Sequence, residues 1–314
     1  MPRWVGAGAL ALALCAASSL LARWFWPGEL AVNFVFQQLL ACAALAALAW
    51  RGRLWRSLAW LAPSAVVCAF LLARQPPPAT VAERRTDAAL TLIVANMFYR
   101  NEETHRLAQW LRERNADIVV LSEMSEARVH AALAEQFAYR YCNGAVGTGA
   151  LCVASRVALQ DVSTVRLSAE GPRELTMSLK WRGQRIRLLA VHLTWPLTPG
   201  HLSRRDAELA AMRRWRGESA DPVIIAGDFN LSPASPRFAA LLADTHLRWL
   251  SPPMAQRATW PAWFPPVGLA IDHILFDERL RPVAVARGPR IGSDHWPLLG
   301  QFEPGSRASA GNMR

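Results

Sequence analysis

The stretch Val223-Ile224-Ile225-Ala226-Gly227-Asp228-Phe229-Asn230 is an apolar run that ends in two polar side chains. Four apolar residues before a glycine are typical of a buried strand. Other apolar runs also end in polar residues, which are Asn96, Glu123, His192, Asp272, Asp294 and His295. This pattern predicts that acceptors and bases gather at one edge of a sheet, as metal-assisted phosphoryl chemistry requires.

From residue 88 onwards the chain alternates between strand and helix patterns. A polar helix is predicted over Leu202–Arg216. Strands are predicted over Ala89–Ala95, Ile118–Leu121, Ala150–Ala154, Leu175–Trp181, Ile186–Val191, Val223–Ala226, Ile271–Phe276 and Leu298–Phe302. Hairpins beside helical crossovers predict an α/β fold in which helices cover two packed sheets.

Three stretches near the amino terminus contain no charged side chain. Trp4–Ala22, Leu30–Trp50 and Ser57–Ala73 are 19, 21 and 17 residues long. A helix crosses the hydrocarbon core of a bilayer with ~20 apolar residues, in a range of about 17 to 25. These stretches therefore predict three transmembrane helices. The alternative for the first stretch is a cleaved signal peptide, in which case the other two still anchor the chain.

Arginines near the three stretches predict the orientation. One side of the membrane would carry Arg3, Arg51, Arg53 and Arg56, and the other would carry Arg23, Arg74, Arg84 and Arg85. Because basic residues favour the cytoplasmic side, the amino terminus is expected in the cytoplasm and everything after the third stretch outside it. The expected location is a bacterial inner membrane, crossed several times, with the remaining domain periplasmic.

Composition divides the chain further. Residues 75–87 contain three consecutive prolines and predict a stiff spacer, while small polar residues from Gly305 predict a disordered tail. The predicted domains are an anchor over residues 1–74, a linker over 75–87, a catalytic domain over 88–304 and a tail over 305–314. From residue 76 onwards the chain carries 29 of the 35 basic and 23 of the 24 acidic side chains, a net charge of +6. This charge permits a nucleic acid or an anionic lipid as partner.

Two of the five cysteines flank a glycine-rich segment. Cys142 and Cys152 enclose Gly144, Gly147 and Gly149, a composition that brings two strands together through a turn. An extracytoplasmic location favours a disulfide here, and two unpaired buried thiols are the alternative. The spacing of cysteines and histidines does not predict a zinc site.

The polar residues occur in a recognisable series of motifs. The series consists of Asn96, the segment Asp117–Glu123, Val191-His192-Leu193, Gly227-Asp228-Phe229-Asn230, Ile271-Asp272-His273-Ile274 and Ser293-Asp294-His295-Trp296-Pro297. In this order the motifs resemble those of the endonuclease/exonuclease/phosphatase family, which includes DNase I, AP endonucleases, neutral sphingomyelinases and inositol polyphosphate 5-phosphatases. The resemblance covers residues 88–304 and implies a DNase I-like four-layer α/β sandwich.

The resemblance also implies a metal site. Glu123 would supply a hard oxygen ligand and Asn96 a neutral one, and Asp294 is similar to the family's second metal-side carboxylate. Such ligands suit Mg²⁺, with Mn²⁺ as the alternative. The cation would neutralise the phosphate charge that otherwise repels an anionic nucleophile.

The remaining motif residues are assigned catalytic roles. His295 would take a proton from the attacking water, with Asp272 on its other ring nitrogen. The resemblance implies that Asp228 orients the nucleophile or protonates the leaving group, that Asn230 holds a phosphoryl oxygen, and that His192 donates to the developing charge. Asp228 and Asn230 are predicted to lie two residues apart on an extended chain, so that both side chains face the same side.

Differences from the family's motifs reduce the number of functions that the resemblance implies. AP endonucleases carry residues like Asn-Gly-Leu-Arg where this chain has Asn96-Met97-Phe98-Tyr99, and a tyrosine near the position of His192, so base-excision repair is disfavoured. Three interpretations are open for the segment Thr259-Trp260-Pro261-Ala262-Trp263. It forms an aromatic lip that stacks on a base, an aromatic lip that contacts lipid tails, or a packed loop.

The sequence therefore predicts a membrane-anchored, divalent-metal-dependent phosphoesterase. Its substrate is a phosphoester of a lipid head group or of a nucleic acid, and its partner is the lipid bilayer, without an obligate protein partner. An extracytoplasmic nuclease for DNA or RNA is the closest alternative. An inactive binding module on the same fold is the alternative from another class, although such a module needs none of the polar residues in the series.

Overall fold

The computed structural model describes residues 3–82, 89–264 and 267–305. The chain forms two compact units. The first comprises Met1–Pro77, Trp195–Ser203 and Leu231–Leu241, and the second comprises Pro78–Thr194, Arg204–Asn230 and Leu242–Arg314. Residues 83–87 of the predicted linker, which include Arg84 and Arg85, lie outside the described residues, as does the predicted tail from residue 306. The predicted domain boundaries stay predictions.

Four helices form between residues 3 and 73 of the first unit. They are α1 (Arg3–Leu20), α2 (Trp26–Asn33), α3 (Val35–Arg51) and α4 (Trp55–Ala73). Of the helices in the described part of the chain, α4 is long and apolar enough to cross a membrane by itself, and α2 with α3 would supply a second span if the bent pair counts as one. α1 is apolar but shorter. Three transmembrane helices are therefore not confirmed.

The predicted stretch Leu30–Trp50 is not one helix, because the chain bends by 70° between α2 and α3. The break falls at Phe34, where φ is −102° and ψ is 18°. α2 begins before the charge-free stretch and includes Glu29, whose buried carboxylate accepts hydrogen bonds from Ser235 Oγ (2.7 Å) and Arg237 Nη1 (3.1 Å) of the same unit. Buried charges in proteins are paired, so these contacts fix the position of α2. The hydrophobicity of the sequence does not predict them.

The second unit is built on two mixed β-sheets. The strands are β1 (Leu90–Asn96), β2 (Ile118–Ser122), β3 (Tyr139–Cys142), β4 (Leu151–Ser155), β5 (Leu159–Arg166), β6 (Arg173–Trp181), β7 (Gln184–His192), β8 (Val223–Asp228), β9 (Arg248–Leu250), β10 (Asp272–Phe276), β11 (Leu280–Arg287) and β12 (Leu298–Pro304). Their order is β11-β12-β1-β2-β4-β3 in the first sheet and β5-β6-β7-β8-β10-β9 in the second. The later helices are α5 (Thr104–Glu113), α6 (Glu126–Leu133), α7 (Pro199–Gly217), which enters this unit at Arg204, and α8 (Pro236–Thr245), which enters it at Leu242.

The main core lies between the two sheets. Leu92 of the first sheet packs in one apolar cluster with Leu188 and Ile224 of the second, and all three are buried. Full burial of such a side chain stabilises the fold by about 1.5–3 kcal/mol. Helices α5 and α6 pack on the outer face of the first sheet. α7 lies outside the second sheet, where Trp215 Nε1 donates to Thr176 Oγ1 at 3.0 Å. The predicted two-sheet α/β sandwich is therefore confirmed.

The strand directions bring polar residues to one edge of this sandwich. β1 and β2 are parallel, and so are β7 and β8, which places Asn96 opposite Ser122 and His192 opposite Asp228. β10 runs antiparallel to β8 and pairs Asp272 with Asp228. The expectation that each polar residue ends its strand is wrong for Asp294 and His295, which lie in the loop between β11 and β12, and for Asp272, which begins β10. Asp272 still lies at the same edge, because an antiparallel strand starts where its neighbour ends.

Cys142 and Cys152 form a disulfide between β3 and β4, in which they are register partners. The predicted disulfide is therefore confirmed, and the alternative of two unpaired thiols is excluded. The bond closes the glycine-rich turn, and the N–H of Glu123 donates to Ala150 O at 2.8 Å just beyond that turn.

Gly227 allows β7 and β8 to approach closely, and we expect Gly227→Ala to destabilise the protein. Its φ is +149°, and an added Cβ would lie 1.8 Å from Val191 O. Backbone strain and overpacking together cost roughly 2–5 kcal/mol. For a chain of this size, the melting temperature of the full chain in detergent should fall by about 5 °C or more. The matched control is Gly217→Ala, since an added Cβ there meets nothing within 4 Å. Equal melting temperatures for the two variants would contradict this prediction.

Candidate active site

Asn96 joins carboxylates from the two sheets. It is buried at the end of β1, and its Nδ2 group donates to Glu123 Oε1 and to Asp228 Oδ2, both at 3.0 Å. Its Oδ1 accepts the N–H of Phe98 at 2.9 Å. Because an amide carries two N–H donors, one side chain brings together two carboxylates that are distant in the sequence.

Glu123 follows β2 in a left-handed backbone conformation, with φ at +58°. Such a conformation costs a residue other than glycine on the order of 1–3 kcal/mol and is concentrated at functional sites. Its Oε2 accepts the N–H of Tyr99 at 3.2 Å, and its side chain is 14 % exposed. The fold therefore directs this carboxylate into the site and leaves it accessible to a ligand.

His295 and Asp272 form a buried pair. His295 Nδ1 lies 2.8 Å from Asp272 Oδ2. The N–H of His295 donates to Ser293 Oγ (3.0 Å), and Ser293 Oγ donates to Asn96 O (2.7 Å). The N–H of Asp272 donates to Thr259 Oγ1 at 3.2 Å. Ser293 and Thr259 were not among the predicted site residues, although Ser293 belongs to one of the motifs and Thr259 to the aromatic segment.

Negative charge dominates the electrostatics of the site. Burial by itself would lower the pKa of His295, but the charge and hydrogen bond of Asp272, together with the charges of Asp228 and Asp294, raise it to about 9. Burial, followed by the charge of Asp272, raises the pKa of Asp228, and His295 and His192 oppose that change only in part. The site therefore favours an additional positive charge.

His192, the last residue of β7, reaches the same carboxylates. Its Nε2 lies 3.6 Å from Asp228 Oδ2 and 4.0 Å from Glu123 Oε1. Its backbone N–H donates to Glu174 Oε2 at 3.0 Å. Glu174 was not among the predicted site residues, because it lies at the start of the neighbouring strand β6 and belongs to none of the motifs.

Asn230 does not lie on an extended chain. β8 ends at Asp228, and Asn230 adopts a left-handed conformation with φ at +48°. Its N–H donates to Asp228 Oδ1 (2.8 Å) and its Nδ2 group donates to Leu193 O (2.9 Å). The prediction that an extended chain continues from Asp228 to Asn230 is therefore wrong, because the hydrogen bond from the Asn230 N–H to Asp228 Oδ1 turns the chain.

Asp294 lies beside the aromatic segment. Its Oδ2 accepts a hydrogen bond from Trp260 Nε1 at 3.1 Å, and its backbone O accepts the N–H of Ala262 at 2.7 Å. Trp263 and Phe264 are 68 % and 47 % exposed and stack at 6.0 Å between ring centroids. Trp260 thus belongs to a packed loop, whereas the next two aromatic residues form an exposed lip.

The donor set of the site fits a divalent cation. Ligand atoms of Asp228, Asp272 and His295 all lie within 4.8 Å of one another. Asp272 Oδ1 is buried and has no hydrogen-bond partner among the described residues. Carboxylate oxygens suit Mg²⁺ and Mn²⁺. Of the predicted ligands, Asn96 and Glu123 are in contact, whereas the carboxylate of Asp294 contacts Trp260. The group around Asp228 and Asp272 is therefore a second candidate position for a cation.

We expect Glu174→Gln to stabilise the protein at neutral pH. Burial, followed by the charge of Glu208, raises the pKa of Glu174 well above its ordinary value of 4.5, against the hydrogen bond from His192 N. When a carboxyl group has a higher pKa in the folded chain than in the unfolded chain, the folded state loses stability as the pH rises from the unfolded pKa towards the folded pKa. Glutamine keeps an acceptor for His192 without that loss.

Melting temperatures of the full chain in detergent between pH 4.5 and 8 measure this effect. The gain at pH 8 should be roughly 1 kcal/mol, a typical size for a point substitution, and it should shrink towards pH 4.5. The control is Glu170→Gln, because Glu170 is exposed beside Arg204. A gain independent of pH would show that ionisation of Glu174 is not its cause.

The model of the Endonuclease/Exonuclease/phosphatase family matches residues 93–295. The chain belongs to the endonuclease/exonuclease/phosphatase family. The matched residues include every candidate position from Asn96 to His295, and membership supports a hydrolase that acts on phosphoester bonds. No curated protein matches the sequence closely enough to count as a relative.

Solved structures share the fold at low sequence identity. A humanized D. rerio TDP2 is 18 % identical with a TM-score of 0.56, and the match covers 69 % of this chain and 100 % of that chain. A family protein from Beutenbergia cavernae is 20 % identical with a TM-score of 0.58, covering 71 % and 73 %. The 3' phosphatase NExo from Neisseria, bound to a product DNA hairpin, is 18 % identical with a TM-score of 0.55, covering 68 % and 100 %. At these identities the likeness shows the fold alone.

Proposed function

We propose that this protein is a membrane-anchored, divalent-metal-dependent phosphoesterase that hydrolyses phosphodiester or phosphomonoester bonds by attack of water. The observation that carries the proposal is the convergence of carboxylates, an amide and two imidazoles at one edge of the sandwich, in a chain of this family. The converging residues are Asn96, Glu123, His192, Asp228, Asp272 and His295.

The protein's own side chains divide the proton transfers between them. His295 takes a proton from the attacking water at Nε2, since Asp272 occupies its Nδ1. That Nε2 lies 3.9 Å from Asp228 Oδ2. Asp228, whose pKa burial raises, orients the water or protonates the leaving group. His192 donates to the charge that develops on the phosphoryl oxygens, and Asn230 holds one of these oxygens with the part of its amide that Leu193 does not use.

The residues that would hold the cation are Glu123, Asn96 and Asp294, with the group around Asp228 and Asp272 as the second position. When bound, Mg²⁺ or Mn²⁺ neutralises phosphate charge and polarises the phosphoryl oxygen. Only a neutral imidazole accepts a proton. Since carboxylates raise the pKa of His295, additional positive charge near them favours the neutral form that the assigned role requires.

The apolar stretches before residue 75 anchor the catalytic domain, residues 88–304, on the outer side of an inner membrane. Arginine placement supports this orientation, and the disulfide between Cys142 and Cys152 suits an oxidising compartment. A reporter fused after Glu303 tests it: activity of an outside-specific reporter is expected, and a cytoplasmic signal would reverse the topology.

Lipid head groups and nucleic acids are the two candidate substrate classes. The Neisseria phosphatase with its DNA product favours a nuclease or DNA phosphatase as the second function, and the exposed aromatic pair at Trp263 and Phe264 suits stacking on bases. An inactive binding module is disfavoured, because recognition does not require a base, an orienting carboxylate and a donor in one site.

Hydrolysis by the full chain tests the proposal. Protein purified in detergent should cleave a generic phosphodiester in Mg²⁺ or Mn²⁺. A panel of plasmid DNA, RNA, sphingomyelin and phosphoinositides then identifies the preferred class. Absence of turnover on the generic ester and on the whole panel in both cations, by folded protein, would reject the enzyme in favour of the binding module.

A further inference from the structure

Arg205 of α7 lies behind the candidate site and is fully buried, with 0 % of its surface exposed. A guanidinium remains charged in proteins, and arginine is almost never fully buried unless it is paired. Its Nε donates to Thr194 O at 2.9 Å and its Nη2 donates to Asn230 O at 2.6 Å. One side chain therefore holds two backbone segments together.

Both segments leave the parallel strands that carry candidate residues. Thr194 lies two residues after His192 at the end of β7, and Asn230 lies two residues after Asp228 at the end of β8. The N–H of Leu193 also donates to Asp228 O at 2.9 Å. A shift of either segment would therefore move the side chains that face the substrate.

The backbone of Asn230 needs this support because its left-handed conformation is unfavourable. Strained residues persist where the surroundings fix them from several sides. Asp228 holds the N–H of Asn230 and Arg205 holds its carbonyl. Glu208, one turn further along α7, holds Thr194 through its N–H (3.0 Å) and its hydroxyl (2.7 Å).

We propose that Arg205 is a positioning residue for the reaction, acting through the Asn230 and Thr194 carbonyls to keep Asp228 and His192 in register. The inference rests on the proposed function. Lysine is a compact charge without the planar fork of arginine, so it cannot reproduce both contacts. A displacement of about 1 Å at a reacting group can cost roughly 100-fold in rate.

The test is Arg205→Lys in the full chain. We expect kcat to fall about 10- to 100-fold, while KM and the Mg²⁺ concentration for half-maximal rate stay within about threefold. The matched control is Arg204→Lys, because the neighbouring Arg204 pairs with the exposed Glu170 at 2.8 Å. A folded Arg205→Lys variant whose kcat is within about twofold of the control would overturn the proposal.

The kcat of a second variant and the hydrogen exchange of Arg205→Lys test the same positioning role. If Arg205→Lys does not fold, Glu208→Gln should still lower kcat by several-fold at unchanged KM, and an unchanged kcat would overturn the positioning role. Hydrogen exchange separates this role from the proposed function. Peptides covering residues 192–195 and 228–231 should exchange faster in Arg205→Lys than in the control. Unchanged exchange rejects the positioning role, whereas an inactive wild-type chain rejects the function.

Discussion

His295→Ala should lower kcat for phosphodiester hydrolysis by about 10²- to 10⁴-fold, the range that a positioned general base contributes. The pair of His295 Nδ1 and Asp272 Oδ2 at 2.8 Å fixes the ring, so that Nε2 is directed towards Asp228. Alanine removes the proton acceptor and leaves the neighbouring carboxylates in place. Initial rates of the full chain in detergent, at saturating Mg²⁺, measure the effect.

His105→Ala is the matched control for this loss, because His105 is an exposed histidine on α5. It should retain the wild-type kcat. Titration with Mg²⁺ separates two roles of His295. If His295 acts only as a base, its removal leaves the half-saturating concentration of Mg²⁺ unchanged. If His295 is a metal ligand, its removal raises that concentration. An unchanged kcat in His295→Ala would remove this residue from the mechanism.

The sequence identified the interior strands of both sheets but not the strands at their edges. The eight predicted strands correspond to β1, β2, β4, β6, β7, β8, β10 and β12, all of which have a neighbour on each side. The four edge strands β3, β5, β9 and β11 were missed. Interior strands between two layers are nearly continuous apolar runs. β5 exposes most of its side chains, and β11 contains Pro282 and a register shift next to it, so neither carries that pattern.

Most of the motif residues that meet at one edge were predictable because they stand at an end of a buried strand or within two residues of it. Their supporting contacts were not. Glu174 reaches His192 from the neighbouring strand, and Arg205 reaches Asn230 from a helix. These contacts depend on how the strands and helices pack against one another. Their partners are not separated by a characteristic spacing in the sequence, so no sequence pattern predicts them. The turn at Asn230 was missed for a related reason, since the side chain of Asp228 overrides the extended pattern of the strand before it.

Removal of divalent cations should abolish activity, and Glu123 should set the cation requirement. We expect excess chelator to reduce hydrolysis to background and Mg²⁺ or Mn²⁺ to restore it. Glu123→Gln should lower the rate on the order of 100-fold at moderate Mg²⁺ and raise the half-saturating concentration at least about 10-fold. Removing even an indirect contact to a metal typically costs 10- to 100-fold in affinity. Rates measured across a Mg²⁺ titration, with Glu126→Gln on the exposed face of α6 as control, test this expectation.

Asp272→Asn distinguishes the two candidate positions for the cation. If Glu123, Asn96 and Asp294 hold it, Asp272→Asn lowers kcat through the orientation of His295 and leaves the half-saturating Mg²⁺ concentration unchanged. If the cation lies among Asp228, Asp272 and His295, whose ligand atoms are within 4.8 Å of one another, the pattern is reversed. Asp272→Asn then raises the half-saturating concentration and Glu123→Gln does not. Turnover that persists in excess chelator would contradict both positions and require hydrolysis to proceed with the protein's side chains alone.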